Sequence, residues 1–322
     1  MRLTEGQTGA RVLAFGGYRP HRIVTNDDLA RTVDTTDEWI RSRVGIASRR
    51  IADQDETLAD LAVQAGGKAL AASDLSPGDV DLVIVATCTP EAQIPNTAAV
   101  VARRLDLLAP GAYDLNAACA GFCYALASAA DAVRTGTAKN VLVIGAEKLS
   151  QWIDWSDRST CIIFADGAGA AVVGAVRDPA DPPGIGPVVW GSDGDMADKI
   201  RIKDRNSFVA QEGQAVFRWA TTTLAPLARQ ACEKAGVDPA ELGAFVPHQA
   251  NLRIVEALAR ELGAPQAAVA SDIVHTGNTS AASIPLALSR MIESGEVTSG
   301  SYALLVSFGA GMCYAAQVII VP

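Results

Sequence analysis

Apolar residues in this chain gather into short strand-like runs separated by stretches of helical spacing, and the order of these segments occurs twice. In the first half the run 81–87, DLVIVAT, leads through a loop to AACAGF at 117–122. That segment opens a helix whose small apolar positions, Ala125, Ala129, Ala132 and Val133, follow helical spacing. The helix should stop at Thr135-Gly136, before the buried strand VLVIG at 141–145. The second half repeats the order. LGAFV at 242–246 leads to GNTSA at 277–281, which opens a helix through Ile284, Leu286 and Leu288. A stop follows at Ser294-Gly295, then the strand ALLVS at 303–307. Each half closes with a glycine-rich turn into another apolar strand: DGAG at 166–169 before AVVG, and GAG at 309–311 before AAQVIIV at 315–321.

Strands and helices alternating in this way define an α/β protein with parallel-rich sheets covered on both faces. Two such halves predict five α-β-α-β-α layers about a pseudo-twofold axis, with an N-terminal half over 1–176 and a C-terminal half over 177–322. Residues 177–208, rich in Pro, Gly and Asp, read as a joining insertion. Residues 25–50 read as a charged helical excursion. A site between the halves would draw on loops from both.

Composition narrows the class. The 322 residues suffice for a large core, and 49% hydrophobic with 20% charged residues fits a compact globular protein. A net charge of -9 argues against a nucleic-acid partner, which demands a strong basic field. No stretch reaches the roughly 20 apolar residues of a membrane helix. The opening MRLTEGQTGARV lacks the apolar core of a signal peptide, so a cytoplasmic location is expected.

The chemistry starts with cysteine. Cys88, Cys119, Cys123, Cys161, Cys232 and Cys313 form no CxxC pair and have no histidines at metal-ligand spacing, so no metal is expected. Most read as small buried apolar residues; Cys123, and Cys161 in a strand, are taken that way. Cys119 differs. It sits where a strand turns into a helix, so the helix dipole and free backbone N–H groups should favour thiolate, while small neighbours admit a long thin substrate. His248 ends the apolar strand of VPHQAN at 246–251, and Asn278 opens the second-half helix. If the halves superpose, Asn278 and Cys119 face each other as counterparts, with His248 on the neighbouring strand end. Such a set can hold an acyl group on sulfur and donate two hydrogen bonds to a developing thioester oxyanion. A helix-capping asparagine and a satisfied core histidine are the plain alternatives. His275, beside Asn278, is the rival for the histidine role, but no strand end aims it; His21 is left as structural.

Five motifs in order, VDTTDEWI (33–40), ACAGF (118–122), VPHQAN (246–251), GNTSAAS (277–283) and FGAG (308–311), resemble the β-ketoacyl-acyl-carrier-protein synthase III family of the thiolase superfamily. The resemblance covers nearly the whole chain and implies the thiolase fold. It also implies a ping-pong decarboxylative condensation that starts fatty-acid synthesis. An acyl-CoA loads Cys119; malonyl-acyl carrier protein then decarboxylates and attacks to give a β-ketoacyl-acyl carrier protein. Acyl-CoA is a substrate, and no cofactor is implied.

By the same resemblance Trp39 and Arg158 clamp the CoA adenine, Arg43 lies near the CoA phosphates, and Asn251 and Phe308 line the substrate path. The Cys119 and Ala310 N–H groups form the oxyanion hole, and Arg218 with Arg253 forms a carrier-protein patch. An indole and a guanidinium plane suit a purine clamp. Ile94 stands where relatives carry a residue that closes the acyl pocket, usually reached from the partner subunit, which implies short to medium, including branched, primers; a homodimer is expected because family members pair edge strands beside the site. A polyketide-priming synthase or an acyltransferase would share every motif. A non-catalytic carrier-binding subunit would lack the Cys or His, and both are present. No GxGxxG or GxSxG motif supports a dinucleotide oxidoreductase or a serine hydrolase.

Overall fold

A computed structural model describes residue 6, residues 9–176 and residues 180–322. The first half begins with strand β1 (Ala10–Tyr18). Residues 22–51 then form a two-stranded hairpin, Arg22–Thr25 against Ser48–Ile51, that brackets a single-turn helix and helix α1 (Asp37–Val44). The excursion is therefore part strand, not wholly helical. Helix α2 (Leu58–Ala72), β2 (Leu82–Ala86), α3 (Thr97–Arg104), β3 (Gly111–Leu115), α4 (Gly121–Arg134), β4 (Asn140–Lys148) and β5 (Asp166–Ala175) complete this half. The second half runs β6 (Val189–Gly191), α5 (Gly213–Ala235), β7 (Leu242–Pro247), α6 (Leu252–Leu262), β8 (Ala268–Val269), α7 (Ser283–Glu293), β9 (Tyr302–Phe308) and β10 (Tyr314–Ile320).

The internal repeat is visible in the strand order. The first sheet reads β3-β2-β4-β5-β1 and the second β8-β7-β9-β10-β6, so each strand has its counterpart five numbers on. Directions match as well. In both sheets the first two pairings are parallel and the last two antiparallel. The sheets are thus mixed rather than parallel-rich. The region read as a joining insertion supplies β6, the edge strand of the second sheet.

Helices α4 and α7 lie between the sheets, and one apolar cluster joins Leu126, Ala129 and Val133 to Ile284, Leu288 and both inner sheet faces. Helix α2 with α3 covers the outer face of the first sheet, and α5 with α6 covers that of the second. These are the five expected layers. The helix stops also fall as read, with Gly136 and Gly295 both at φ 73°.

The glycines of DGAG do not make a turn. They lie inside β5, where α7 crosses so closely that a Cβ on Gly169 would sit 2.6 Å from the Leu286 nitrogen. Gly145 on β4 meets the Ala281 carbonyl in the same way, at 2.3 Å. The small residues that look like punctuation let helix backbone rest on sheet backbone. Among the described residues no helix is long and apolar enough to cross a membrane.

Candidate active site

The loops at the carboxyl ends of parallel strands from both sheets converge on one cavity of about 780 Å³. Cys119 follows β3, His248 follows β7, Phe308 ends β9, and Asn278 precedes α7; all four line it. The three polar groups singled out in the sequence thus line one cavity.

Asn278 and Cys119 are nevertheless not counterparts. Asn116 and Asn278 are: each side-chain oxygen accepts from the backbone N–H two residues on, Ala118 at 3.0 Å and Ser280 at 2.8 Å. Ala118 and Ser280 both take positive φ, 48° and 51°, and each begins a 3-10 turn leading into α4 or α7. Cys119 therefore corresponds to Ala281. The turn matters chemically. With its oxygen committed to Ser280, the Asn278 amide turns its NH2 outward as a donor. Its backbone is also fixed, since Asn278 N–H donates to the Ile163 carbonyl and Ala165 N–H to the Asn278 carbonyl, both at 2.9 Å.

His248 is buried, its ring edge-on to Phe308 with centroids 5.4 Å apart. Its Nδ1 lies 2.6 Å from the Ser283 hydroxyl, which also accepts from the Gln249 N–H at 3.3 Å. Burial pulls the imidazole down to about 3, so it is neutral at physiological pH. With Ser283 donating to Nδ1, the Nε2 carries the hydrogen and serves as a second donor. The rival His275 is exposed on a single-turn helix and does not line the cavity.

The thiolate expectation for Cys119 is corrected. The thiol is half-buried and pushed up to about 12, first by desolvation and further by the nearby Glu147 carboxylate; contact with Ser280 and its own backbone pull the other way. Small neighbours that admit substrate also let the walls close and exclude water, and the helix end does not offset that loss. Gly309 packs against the nucleophile so tightly that a Cβ there would lie 2.5 Å from the Cys119 nitrogen. Ala310 follows at the start of the turn Ala310–Met312, next to the cavity wall rather than in it. Cys161 is buried in a turn, not in a strand.

At the outer end Thr36 caps α1 by accepting from the Trp39 N–H at 3.1 Å, which sets the indole's position. The Arg43 and Arg158 guanidiniums stand 5.6 and 4.9 Å from its ring centroid. Arg158 also donates to the Asp34 carbonyl at 2.7 Å, so clamp and counter-plane are closed on each other. Asn251 lines the cavity, caps α6 through the Arg253 N–H and donates to the Arg43 carbonyl at 3.3 Å. Arg218 and Arg253 line it too, Arg253 lying over the Phe217 ring. Ile94 does not; it is 85% exposed, in a loop near the edge strand β3. Sequence reading missed Ser283 and Glu147. The one signal for Glu147 was an acid closing the otherwise apolar run of β4.

A thiolase-type double sheet with a cysteine, a histidine and an asparagine at its strand ends defines a condensing acyltransferase. The chain belongs to the 3-oxoacyl-[acyl-carrier-protein] synthase III family, whose N-terminal and C-terminal models match residues 113–194 and 232–321. It is 58% identical over 314 residues to beta-ketoacyl-[acyl-carrier-protein] synthase III 4 of Streptomyces coelicolor, covering 98% of this chain and 99% of that one. The mycobacterial beta-ketoacyl-[acyl-carrier-protein] synthase III of Mycobacterium avium is 49% identical over 331 residues, covering 99% and 98%. Among solved structures, the priming beta-ketosynthase of the R1128 polyketide pathway superposes with TM-score 0.95 at 44% identity, over 100% and 98% of the two chains. The 3-oxoacyl-[acyl-carrier-protein] synthase III of Aquifex aeolicus gives 0.92 at 42%, over 97% and 100%.

Proposed function

We propose that this enzyme condenses an acyl-CoA primer with malonyl-acyl carrier protein, with loss of CO2, through an acyl-Cys119 intermediate. The observation that carries the reading is the composition of the cavity. It joins Cys119, His248 and Asn278 to a mouth with three arginines, Arg43, Arg218 and Arg253, and among the described residues no carboxylate lines it. In a chain of net charge -9 that is a local positive field, suited to the phosphates of CoA and of a phosphopantetheine-bearing acidic carrier.

In the first half-reaction the Cys119 sulfur attacks the thioester carbonyl. The Cys119 and Ala310 N–H groups receive the oxyanion, and the thiol proton leaves with the CoA sulfur. In the second, the carboxylate carbon–carbon bond of the malonyl group breaks and its electrons pass to the thioester oxygen. His248 Nε2–H and the Asn278 amide donate to that oxygen. The resulting carbanion attacks acyl-Cys119, the new carbon–carbon bond forms, the carbon–sulfur bond to Cys119 breaks, and the released sulfur takes a proton from solvent water to restore the thiol. Decarboxylation supplies the carbanion, so no base need remove a C–H proton, and a histidine held neutral fits the task. Acyl-CoA serves as substrate, with no cofactor.

A homodimer paired through β3 completes the proposal. Among the described residues that edge strand has β2 as its one partner, and exposed Tyr113, Leu108 and Ile94 lie on or beside it. Ile94 would then reach the partner's acyl pocket and limit primers to short or medium, including branched, chains. The likeness to a polyketide-priming ketosynthase supports a second reading of the pathway, with the same chemistry feeding a polyketide.

The test is mass spectrometry of the protein with a panel of acyl-CoAs. One adduct should form on Cys119 and vanish in Cys119→Ser. His248→Ala and Asn278→Ala should acylate yet release CO2 from malonyl-acyl carrier protein about 10²–10³ times more slowly. Loss of acylation in both would reassign those two residues.

A further inference from the structure

Glu147 is fully buried at the end of β4. Its two oxygens are crowded with donors: the Thr89 hydroxyl at 2.5 Å, the Ser280 hydroxyl at 3.0 Å, the Cys88 N–H at 3.1 Å, and the Thr87 hydroxyl and Cys88 thiol at 3.2 Å. Among the described residues no cation pairs with the carboxylate. Lys148, next in sequence, directs its ammonium to the carbonyls of Asp53, Gln54 and Glu56. Burying an acid costs far more than burying an amide, so a mere tie between segments would be served by glutamine. A carboxylate differs from an amide in one respect that matters here: it only accepts, so every hydroxyl around it must point its hydrogen inward.

Ser280 is where this reaches the chemistry. Its N–H holds the Asn278 oxygen at 2.8 Å and so aims the Asn278 amide. Its hydroxyl lies 3.9 Å from the Cys88 sulfur and contacts the Cys119 thiol. A serine has one hydroxyl hydrogen. The Ser280 contact draws the Cys119 thiol down only by donating that hydrogen, so its commitment to Glu147 weakens the pull.

We propose that Glu147 is a positioning residue of this site, a buried acceptor that ties the Asn278 loop to the wall behind Cys119 and holds the Ser280 hydrogen away from the Cys119 sulfur. The nucleophile thereby rests as a protonated thiol, and the oxyanion donor stays aimed. Three titratable groups face the thiol. Glu147 on β4 and Cys88 after β2 are both pushed up, by burial first, and His248 after β7 is pushed down. The half of the proposal that concerns Asn278 rests on the condensing role above; the half that concerns the thiol does not.

The test uses the full-length enzyme and Glu147→Gln, whose amide donates to Ser280 and removes the charge. The pH profile of Cys119 alkylation by iodoacetamide, read by mass spectrometry, should move about one unit or more to lower pH. The rate of CO2 release per acyl-enzyme should fall at least tenfold while acylation persists. Ser280→Ala keeps the carboxylate and should lower CO2 release with a smaller shift in alkylation. A Glu147→Gln profile that overlays the wild type overturns the proposal. If that variant does not fold, an unchanged ratio of CO2 release to acylation in Ser280→Ala overturns it. Alkylation needs no acyl-CoA, so this result stands apart from any failure of the condensing reading.

Discussion

Asn116 and Asn278 make the same turn on opposite sides of the pseudo-twofold axis, each side-chain oxygen receiving the N–H two residues on, at 3.0 and 2.8 Å. In the proposed mechanism one turn delivers the nucleophile and the other a donor, so their loss should separate the half-reactions. Asn116→Ala loosens the Cys119 turn and should slow acylation while leaving CO2 release per acyl-enzyme intact. Asn278→Ala should do the reverse, cutting CO2 release by about 10²–10³, the usual cost of one oxyanion donor. Each should cost roughly 0.5–2 kcal/mol of stability, readable from urea midpoints.

His248 should make the enzyme acid-sensitive. Its folded value near 3 lies below the ordinary 6.5. Between these values the unfolded chain binds a proton that the folded chain refuses, so the stabilisation is complete above about pH 6.5 and is lost as pH falls toward 3. From pH 6.5 to 4.5 the wild type should lose about 2–3 kcal/mol more than His248→Gln, at roughly 1.4 kcal/mol per unit. Parallel denaturation curves at the two pH values check it; equal losses would mean that the ring titrates normally.

Gly309 should tolerate no side chain. A Cβ there would sit 2.5 Å from the nitrogen and 3.1 Å from the Cα of Cys119, and backbone atoms cannot swing aside as a flexible side chain would. Gly309→Ala should cost about 1–3 kcal/mol by overpacking and displace the nucleophile. Calorimetry and the rate of acyl-adduct formation read the two effects; normal acylation would show that the turn yields freely.

These cases show where sequence reading reaches and where it stops. The duplicated order of apolar runs was enough to foresee two matched halves, because a buried strand and a strand-end loop are written in adjacent residues. Equating Cys119 with Asn278 failed because both were counted from helix starts. The true register is carried by a turn, two residues ahead of a positive φ, that leaves no apolar signature. The charge state of Cys119 was misjudged because the burial that pushes the thiol up, and the Glu147 charge that adds to it, come from segments distant in sequence, Gly309 among them. Glu147 was illegible for the same reason, since its donors stand near residue 88 and at residue 280.

The mouth of the site offers the last prediction. Arg158 stacks 4.9 Å from the Trp39 centroid and is pinned to the Asp34 carbonyl, so an entering purine must part the two planes or slide over one of them. In the proposed role of an adenine clamp the pair would bind substrate without touching the reacting carbon, and its removal should weaken binding uniformly. Arg158→Ala and Trp39→Ala should therefore raise KM for acyl-CoA roughly 2- to 30-fold, the span of about 0.5–2 kcal/mol expected for a stacked cation, with kcat near the wild-type value. Acyl-pantetheine, which lacks the nucleotide, separates this from general damage: both variants should handle it as well as the wild type does. A matching loss with acyl-pantetheine would place the two residues in the scaffold of α1 rather than on the nucleotide.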